Sequence, residues 1–436
     1  MSDEDCSRRG AIMITTLSFF VALLIGLPIF ITLLLGTLVF LMQADLAVLM
    51  SDLTIQLYGS LNQNGLLAIP LFMLVGELMN KGGLTSRLMN AADVFVGGFK
   101  GGLAYVNLLT NAMAASILGS ATAQISVMSR LMVPTMVEKG YKKEFSSAVT
   151  MAGGLLGPII PPSMLMIIYG VVAYQPISAL FIAGILPGIL IVVGFAVVIF
   201  ITGIVSGLPS GEHLKHRNVR QELISGLLPG AIPLVVIICI IAGVMTPTEA
   251  GAIASIMAFI MGFFVYRTIS IKDLPGIFGA VGINTATITG LIATASVFGW
   301  ALSFEGVPDM LVEWISGITT SPLLFLMLVY VLVILLGMFL ESISVMIVIV
   351  PIILPAALSF GIDPIHFGVI ISLATLVGLV TPPVGPGLYI AMTSANLPMG
   401  SLFKAMIPFL LAMFICMLII AVFPSISLWL PGMMGK

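Results

Sequence analysis

Long apolar runs separated by short polar or Gly/Pro-rich gaps fill this chain from end to end. About 18 or more apolar residues are needed to span a hydrocarbon core about 30 Å thick. The pattern predicts spanning helices near 11–42, 64–80, 179–205, 226–246, 250–267, 282–303 and 405–430. Two further runs, 144–170 and 364–395, carry Gly and paired Pro in their middles, where Pro removes a backbone donor and clashes with the preceding turn. They are predicted as interrupted helices. Stretches 101–138 and 321–358 read as helix pairs with almost no connection, so each pair begins and ends on one side of the membrane. Segments 82–100 and 268–281, short and of mixed polarity, are predicted as arms along the interface.

The interruptions are copies of one another. Gly157, Pro161 and Pro162 meet Gly378, Pro382 and Pro383 at an offset of 221, which also pairs Pro134 with Pro355, Gly140 with Gly361 and Pro187 with Pro408. Each residue type fills only about 5 to 7% of an average chain, so six coincidences in one gap-free register indicate a duplicated unit. The sequence divides into a first repeat over 1–205, a connecting loop and linking helix over 206–249, and a second repeat over 250–436.

Composition narrows the class. With 60% hydrophobic residues, 8% charged ones and a mean hydropathy of +1.23, the chain has too few polar groups to cover a soluble protein of 436 residues. A net charge of −2 carries no sign of a nucleic-acid partner. Cys6, Cys239 and Cys416 lie far apart without metal-ligand spacing, and His213 and His216 sit in a charged loop without acidic or Cys companions. Arg8-Arg9 precedes an apolar stretch too long for a signal peptide, so that stretch is read as a retained first span.

Charge then sets the orientation. With Arg8 and Arg9 in the cytoplasm, the predicted crossings place Lys81, Arg87, Lys100, Lys139, Lys142, Lys143, Lys215, Arg217, Arg220, Arg267, Lys272 and Lys404 inside. The predicted outer loops 45–52, 172–178, 246–249 and 305–313 hold acids and no Lys or Arg. Five crossings separate the two hairpins, so the first opens inward, the second outward, and the repeats are inverted. Inverted repeats with interrupted helices characterise secondary transporters, whose sites lie near the midplane. Gly157 falls about 20 Å along its helix from Glu144, well inside the bilayer.

Irregular backbone at that depth survives only where it is buried in protein or lines a cavity. Carbonyls and hydroxyls suit a hard cation such as Na⁺, and half-helix N-termini favour anions. The hairpin turns Gly119-Ser120-Ala121-Thr122 and Glu341-Ser342-Ile343-Ser344 are predicted beside the breaks. Arg130 lies mid-arm in the first hairpin, where a charge is expensive and faces a partner, with Glu341 or a substrate carboxylate as its candidates. Glu341 fits an ion ligand, a proton carrier or a pairing residue. Glu77 and Lys81, spaced i, i+4, read as a surface pair, and Thr246-Pro247-Thr248-Glu249 as a capping box.

Leu71 to Met79, Gly119 to Ala123, Gly157 to Ser163, Thr246 to Ala250 and Thr381 to Gly385, in this order, resemble the large membrane subunit of tripartite ATP-independent periplasmic (TRAP) transporters over nearly the whole chain. The resemblance implies an all-α polytopic membrane protein of two inverted repeats, each with a re-entrant hairpin and an interrupted helix, similar in fold to divalent anion/sodium symporters and moving as an elevator. It implies Na⁺-driven import of an organic acid such as sialic acid or a C4-dicarboxylate, with no cofactor beyond the coupling ion. A periplasmic binding protein and a small four-helix membrane subunit are the implied partners, and a bacterial inner membrane the location, with the N-terminus cytoplasmic. Carried over by position, the implied cation sites are Gly119, Ser120, Thr122, Gly157, Pro158, Pro161, Pro162 and Ser163 in the first repeat. In the second they are Ser342, Ser344, Gly378, Thr381, Pro382, Val384 and Gly385. Substrate contacts are expected from Arg130, Ser120, Ser163, Glu341 and Ser342.

Two other classes compete. A passive anion channel would share the hairpins and is the second reading. An intramembrane enzyme has no support, because no His/Asp/Glu cluster or Ser-Lys pair recurs at membrane depth, and the chain has no phosphate-binding loop for ATP.

Overall fold

A computed structural model describes residues 14–434 except 16, 20, 23, 24, 44–46, 99 and 210–218. Arg8, Arg9, Cys6, His213, His216, Lys215, Arg217 and Lys436 therefore lie outside the described residues. The first repeat contains α1 (Ile29–Gln43), α2 (Leu53–Leu61), α3 (Ala68–Lys81), α4 (Leu84–Val96), α5 (Gly102–Leu118), α6 (Ala121–Glu138), α7 (Lys143–Gly154), α8 (Met164–Val172) and α9 (Ile177–Ser206). A linking helix, α10 (Val219–Ile241), follows. The second repeat contains α11 (Pro247–Ile260), α12 (Leu274–Phe304), α13 (Val307–Ile318), α14 (Pro322–Gly337), α15 (Ser342–Ser359), α16 (Pro364–Leu379), α17 (Pro386–Ala395) and α18 (Met399–Val422), with α19 (Ser425–Met434) closing the chain. Among the described residues there is no β-strand, and six helices are long and apolar enough to cross a membrane, or eight if each of two bent pairs counts as one span.

The internal repeat is visible helix by helix. Both α6 and α15 have 18 residues, and they begin and end 221 positions apart. Gly140 and Gly361, equivalent by the same offset, both adopt the left-handed conformation, with φ of 87° and 72°. The peptide bonds Pro161-Pro162 and Pro382-Pro383 are both cis.

Four boundaries differ from the sequence reading. The apolar stretch predicted as one helix over 11–42 is interrupted at residues 25–28, where Gly26 has φ +85° and Pro28 restarts the chain before α1. The arm expected at 268–281 is instead mostly the start of α12, a 31-residue helix about 46 Å long. Ser270 and Asp273 cap each other, with Ser270 N donating to Asp273 Oδ2 over 2.8 Å, and Pro275 enters the first turn, after which nothing stops the helix. The register gives the true counterpart of α4 as α13, in the segment read as an outer loop at 305–313; Gly306 at φ +69° begins it. The last predicted helix, 405–430, divides at Phe423-Pro424 because Pro424 has no N–H to continue the ladder.

Packing sorts the helices into two groups. A scaffold forms from α1, α2, α3, α10, α11 and α12, with α10 against arm α4 and α11 against α3. The hairpins and interrupted helices form the other group. Each hairpin packs on the interrupted helix of its own repeat, α6 on α7 and α14 on α16, and also on the second half of the other repeat's, α17 on α6 and α15 on α8. The breaks are thus held between two hairpins. At the scaffold's polar rim Arg87 stacks 3.9 Å from the Tyr266 ring centre, and Thr268 Oγ1 donates to Gly82 O over 2.7 Å, fastening the start of arm α4 to the end of α11.

Candidate functional site

Opposed hairpins bring their turns to one place. A cavity of about 380 Å³ opens between the scaffold and the two turns, lined by Glu77 and Asn80 of α3, Asn284 and Thr287 of α12, Ser120 and Thr122 of the first turn and Glu341 of the second. Ser120 Oγ and Thr122 Oγ1 lie 3.0 Å apart. Ser120 does not cap α6 through its side chain, which leaves first-turn N–H groups of α6 open at that tip, whereas Glu341 at the start of α15 holds its carboxyl beside the Ile343 N–H. Those helix ends carry partial positive charge.

Each turn is fixed to the break of its own repeat. Gly119, at φ +60°, lies so near α8 that a Cβ there would come 3.3 Å from Met164 Cβ. Gly385, at φ +51°, donates its N–H to Met338 O over 2.9 Å. Beyond the second turn, α14 and α16 touch through glycine: a Cβ on Gly378 would lie 2.7 Å from Gly337 Cα. Such small-residue contacts let backbones close up where lipid offers no hydrophobic drive.

The two breaks differ in environment. In the first, Gly157, Pro158, Pro161, Pro162 and Ser163 are all buried. Ser163 Oγ donates to Pro158 O and accepts from Met166 N at 3.3 Å, so this hydroxyl caps α8 rather than facing the cavity. In the second, Thr381 Oγ1 donates to Val377 O over 2.6 Å, Pro382 is half-buried and Val384 is 44% exposed. Ser342 and Ser344 are buried behind the second tip, and Ser342 Oγ has no partner.

The sequence reading had not singled out a seam of amides in the first repeat. Asn107 Nδ2 donates to Thr150 Oγ1 over 2.7 Å, Asn111 Nδ2 to Asn107 Oδ1 over 2.7 Å, and Gln124 Nε2 to Asn111 O over 2.7 Å, tying α5, α6 and α7 together. All four side chains are fully buried. Gln124 Oε1 remains an unpaired buried acceptor beside the break, 2.5 Å from where a Gly157 Cβ would stand. The equivalent positions in the second repeat are Leu328, Leu332, Val345 and Ile371.

Over residues 16–426 the sequence matches the family described as tripartite ATP-independent periplasmic transporter, DctM component. The chain belongs to the DctM family. It is similar to the sialic acid TRAP transporter large permease protein SiaM of Vibrio cholerae, 33% identical over 376 residues, covering 86% of this chain and 88% of that protein. It is also similar to the C4-dicarboxylate TRAP transporter large permease protein DctM of Pseudomonas aeruginosa, 33% identical over 384 residues, with 88% and 90% covered. Its fold is similar to that of the YdaH transporter of Alcanivorax borkumensis, with a TM-score of 0.60 at 15% identity over 88% of this chain and 89% of that one. This DctM-family protein is therefore a multi-pass transporter permease and not an enzyme.

In the DctM-family chain, then, Ser120, Thr122 and Glu341 share one cavity, with Gly119, Ser342 and Ser344 in the adjoining turns. Arg130 is not brought there: it is exposed and turns back on its own helix, donating to Ser126 Oγ over 2.8 Å and Ser126 O over 3.2 Å. Glu77 was read as the partner of Lys81, yet among the described residues no ion pair joins them. Glu77 faces the cavity, and Lys81 acts on Asp273. Asn80, Asn284 and Thr287 escaped notice because they stand on scaffold helices outside the repeated motif. The available signal was spacing, since Glu77 with Asn80 and Asn284 with Thr287 are i, i+3 polar pairs in apolar helices.

Proposed function

We propose that this chain is the large permease subunit of a Na⁺-coupled secondary transporter that imports an organic acid across a bacterial inner membrane, with its N-terminus in the cytoplasm. The observation that carries the reading is the cavity shared by the scaffold and both hairpin tips. Its charged lining is acidic, Glu77 and Glu341, while its dipolar lining is positive at the start of α6. An incoming carboxylate about 7 Å from one ionised glutamate meets a repulsion of about 2 kcal/mol at an effective dielectric constant near 20. Cations bound at the breaks offset it, which makes entry of the anion conditional on Na⁺.

Two cation sites are proposed, one from Gly119, Ser120, Thr122 and the carbonyls of the 157–163 break, the other from Ser342, Ser344 and the carbonyls of 378–385. The unpartnered Ser342 Oγ and Gln124 Oε1 support them, because buried oxygens without partners are costly unless a ligand uses them. The hairpins and interrupted helices are proposed to slide as one body against the scaffold, joined to it by arms α4 and α13. Glu77 and Asn80 lie next to Lys81, and Asn284 and Thr287 are in the half of α12 nearer Lys272. The charge-based orientation then makes the present state open to the cytoplasm.

A periplasmic binding protein and a small membrane subunit are the proposed partners, and the names of the relatives make sialic acid and C4-dicarboxylates the first acids to try. Proteoliposomes holding both membrane subunits, supplied with the binding protein, test the reading. Uptake is expected to follow the Na⁺ gradient and saturate; uptake indifferent to Na⁺ and to the binding protein would instead favour a channel.

A further inference from the structure

We infer that Arg130 is a second anion station, placed at the cytoplasmic lip of the cavity, that takes the carboxylate of the departing acid before its release. This rests on the transport reading above and adds a site to its exit path. Ala123 and Val127 of α6 line the cavity. At about 100° per residue, Arg130, Pro134 and Val137 fall within about 40° of Ala123 around α6, and all three are exposed. One open stripe therefore runs from the cavity wall to the base of the hairpin. It ends beside Lys139, Lys142 and Lys143, which the charge pattern sets in the cytoplasm.

The guanidinium stands high on that stripe. Its Nε donates to Ser126 O over 3.2 Å and its Nη2 to Ser126 Oγ over 2.8 Å, so the group folds one turn back toward the hairpin tip, to the level of Ser126 and the cavity-lining Val127. Two of its five N–H donors are used there. Among the described residues no carboxylate takes the other three, and the outer Nη1–Nη2 edge suits a carboxylate held by both oxygens. A charge at this depth is expensive unless it faces water or a counter-ion. Among the described residues lining the cavity none is Lys, Arg or His, and its charged groups, Glu77 and Glu341, repel the acid once its cations have gone. Arg130 is the first positive charge down the stripe, so it draws the carboxylate off the acidic wall and passes it to the cytoplasm.

The test adds Arg130→Cys to a cysteine-free two-subunit permease, reconstituted and supplied with the binding protein, with N-acetylneuraminate and succinate as probes. For whichever acid the cysteine-free protein imports, Arg130→Cys is expected to take it up about tenfold more slowly. Joining an ethylammonium group to the cysteine with a methanethiosulfonate reagent before reconstitution should restore most of that rate, while the ethylsulfonate reagent of opposite charge should not. A merely structural role would not distinguish the two. Should Arg130→Cys fail to insert, Arg130→Lys against Arg130→Gln makes the comparison, with Lys keeping the greater rate. Unchanged uptake in Arg130→Cys, equal effects of the two reagents, or Lys no better than Gln overturns the inference. Any of these results with Na⁺-driven import intact leaves the transporter standing, whereas no Na⁺-driven import of either acid by the cysteine-free protein removes both.

Discussion

Ser120 and Glu341 occupy the same position of the two repeats, 221 residues apart, and both face one cavity. Duplication produced the geometry and divergence produced the chemistry: one tip presents a hydroxyl, the other a carboxyl.

Removing a tip hydroxyl should weaken cation binding without unfolding the protein. Ser120→Ala and Ser342→Ala are each expected to raise the Na⁺ concentration for half-maximal uptake by about tenfold, the scale of one net hydrogen-bond-sized contact. A Na⁺ titration of uptake with circular dichroism as the folding control reads this. Unaltered titrations in both variants would dismiss these hydroxyls as ligands.

The amide seam should be a stability element of the first repeat alone. Gln124→Leu leaves Asn111 Oδ1 without its donor and should cost about 1–3 kcal/mol, lowering the melting temperature, whereas the volume-conserving Ile371→Leu, at the position equivalent to Thr150, should cost less than about 1.5 kcal/mol. Equal losses in thermal unfolding would contradict the asymmetry.

At Gly378 the limit is space. A methyl group there must push α14 and α16 apart, so Gly378→Ala should destabilise by about 1–3 kcal/mol and reduce Na⁺ affinity at the second site. Gly400, with nothing within 4 Å of its added Cβ, serves as a control whose change to Ala should leave both properties intact. Denaturant midpoints for the two variants decide the point.

Orientation can be probed chemically. On a cysteine-free background, Asn284→Cys should react with a membrane-impermeant maleimide added from the cytoplasmic side, and Asp309→Cys, on arm α13, from the periplasmic side. The reverse pattern would invert the topology.

Much of this was readable from the letters because backbone-breaking residues speak locally. Paired prolines and their repeat register located both interruptions, and the hairpins appeared at the expected ranges. Thr246 and Glu249 form their capping box, with Thr246 N donating to Glu249 Oε2 over 2.8 Å. What escaped was information held between distant segments. Whether Arg130 faces inward depends on a rotation about its helix that a uniformly apolar surround does not encode. Glu77 looked like half of a surface pair because i, i+4 spacing is visible in sequence, while the approach of α12 and the hairpin tips is not.

The seam from Asn107 to Gln124 has an evolutionary corollary. A chimera that carried α5 alone into the second half, or α14 alone into the first, would set amides against Val345 and Ile371 or leucines against Gln124 and Thr150 and strand them, so the single helices of the halves have lost interchangeability. Ancestral twins have become lock and lever, and further change in either must now be matched by its own neighbours alone.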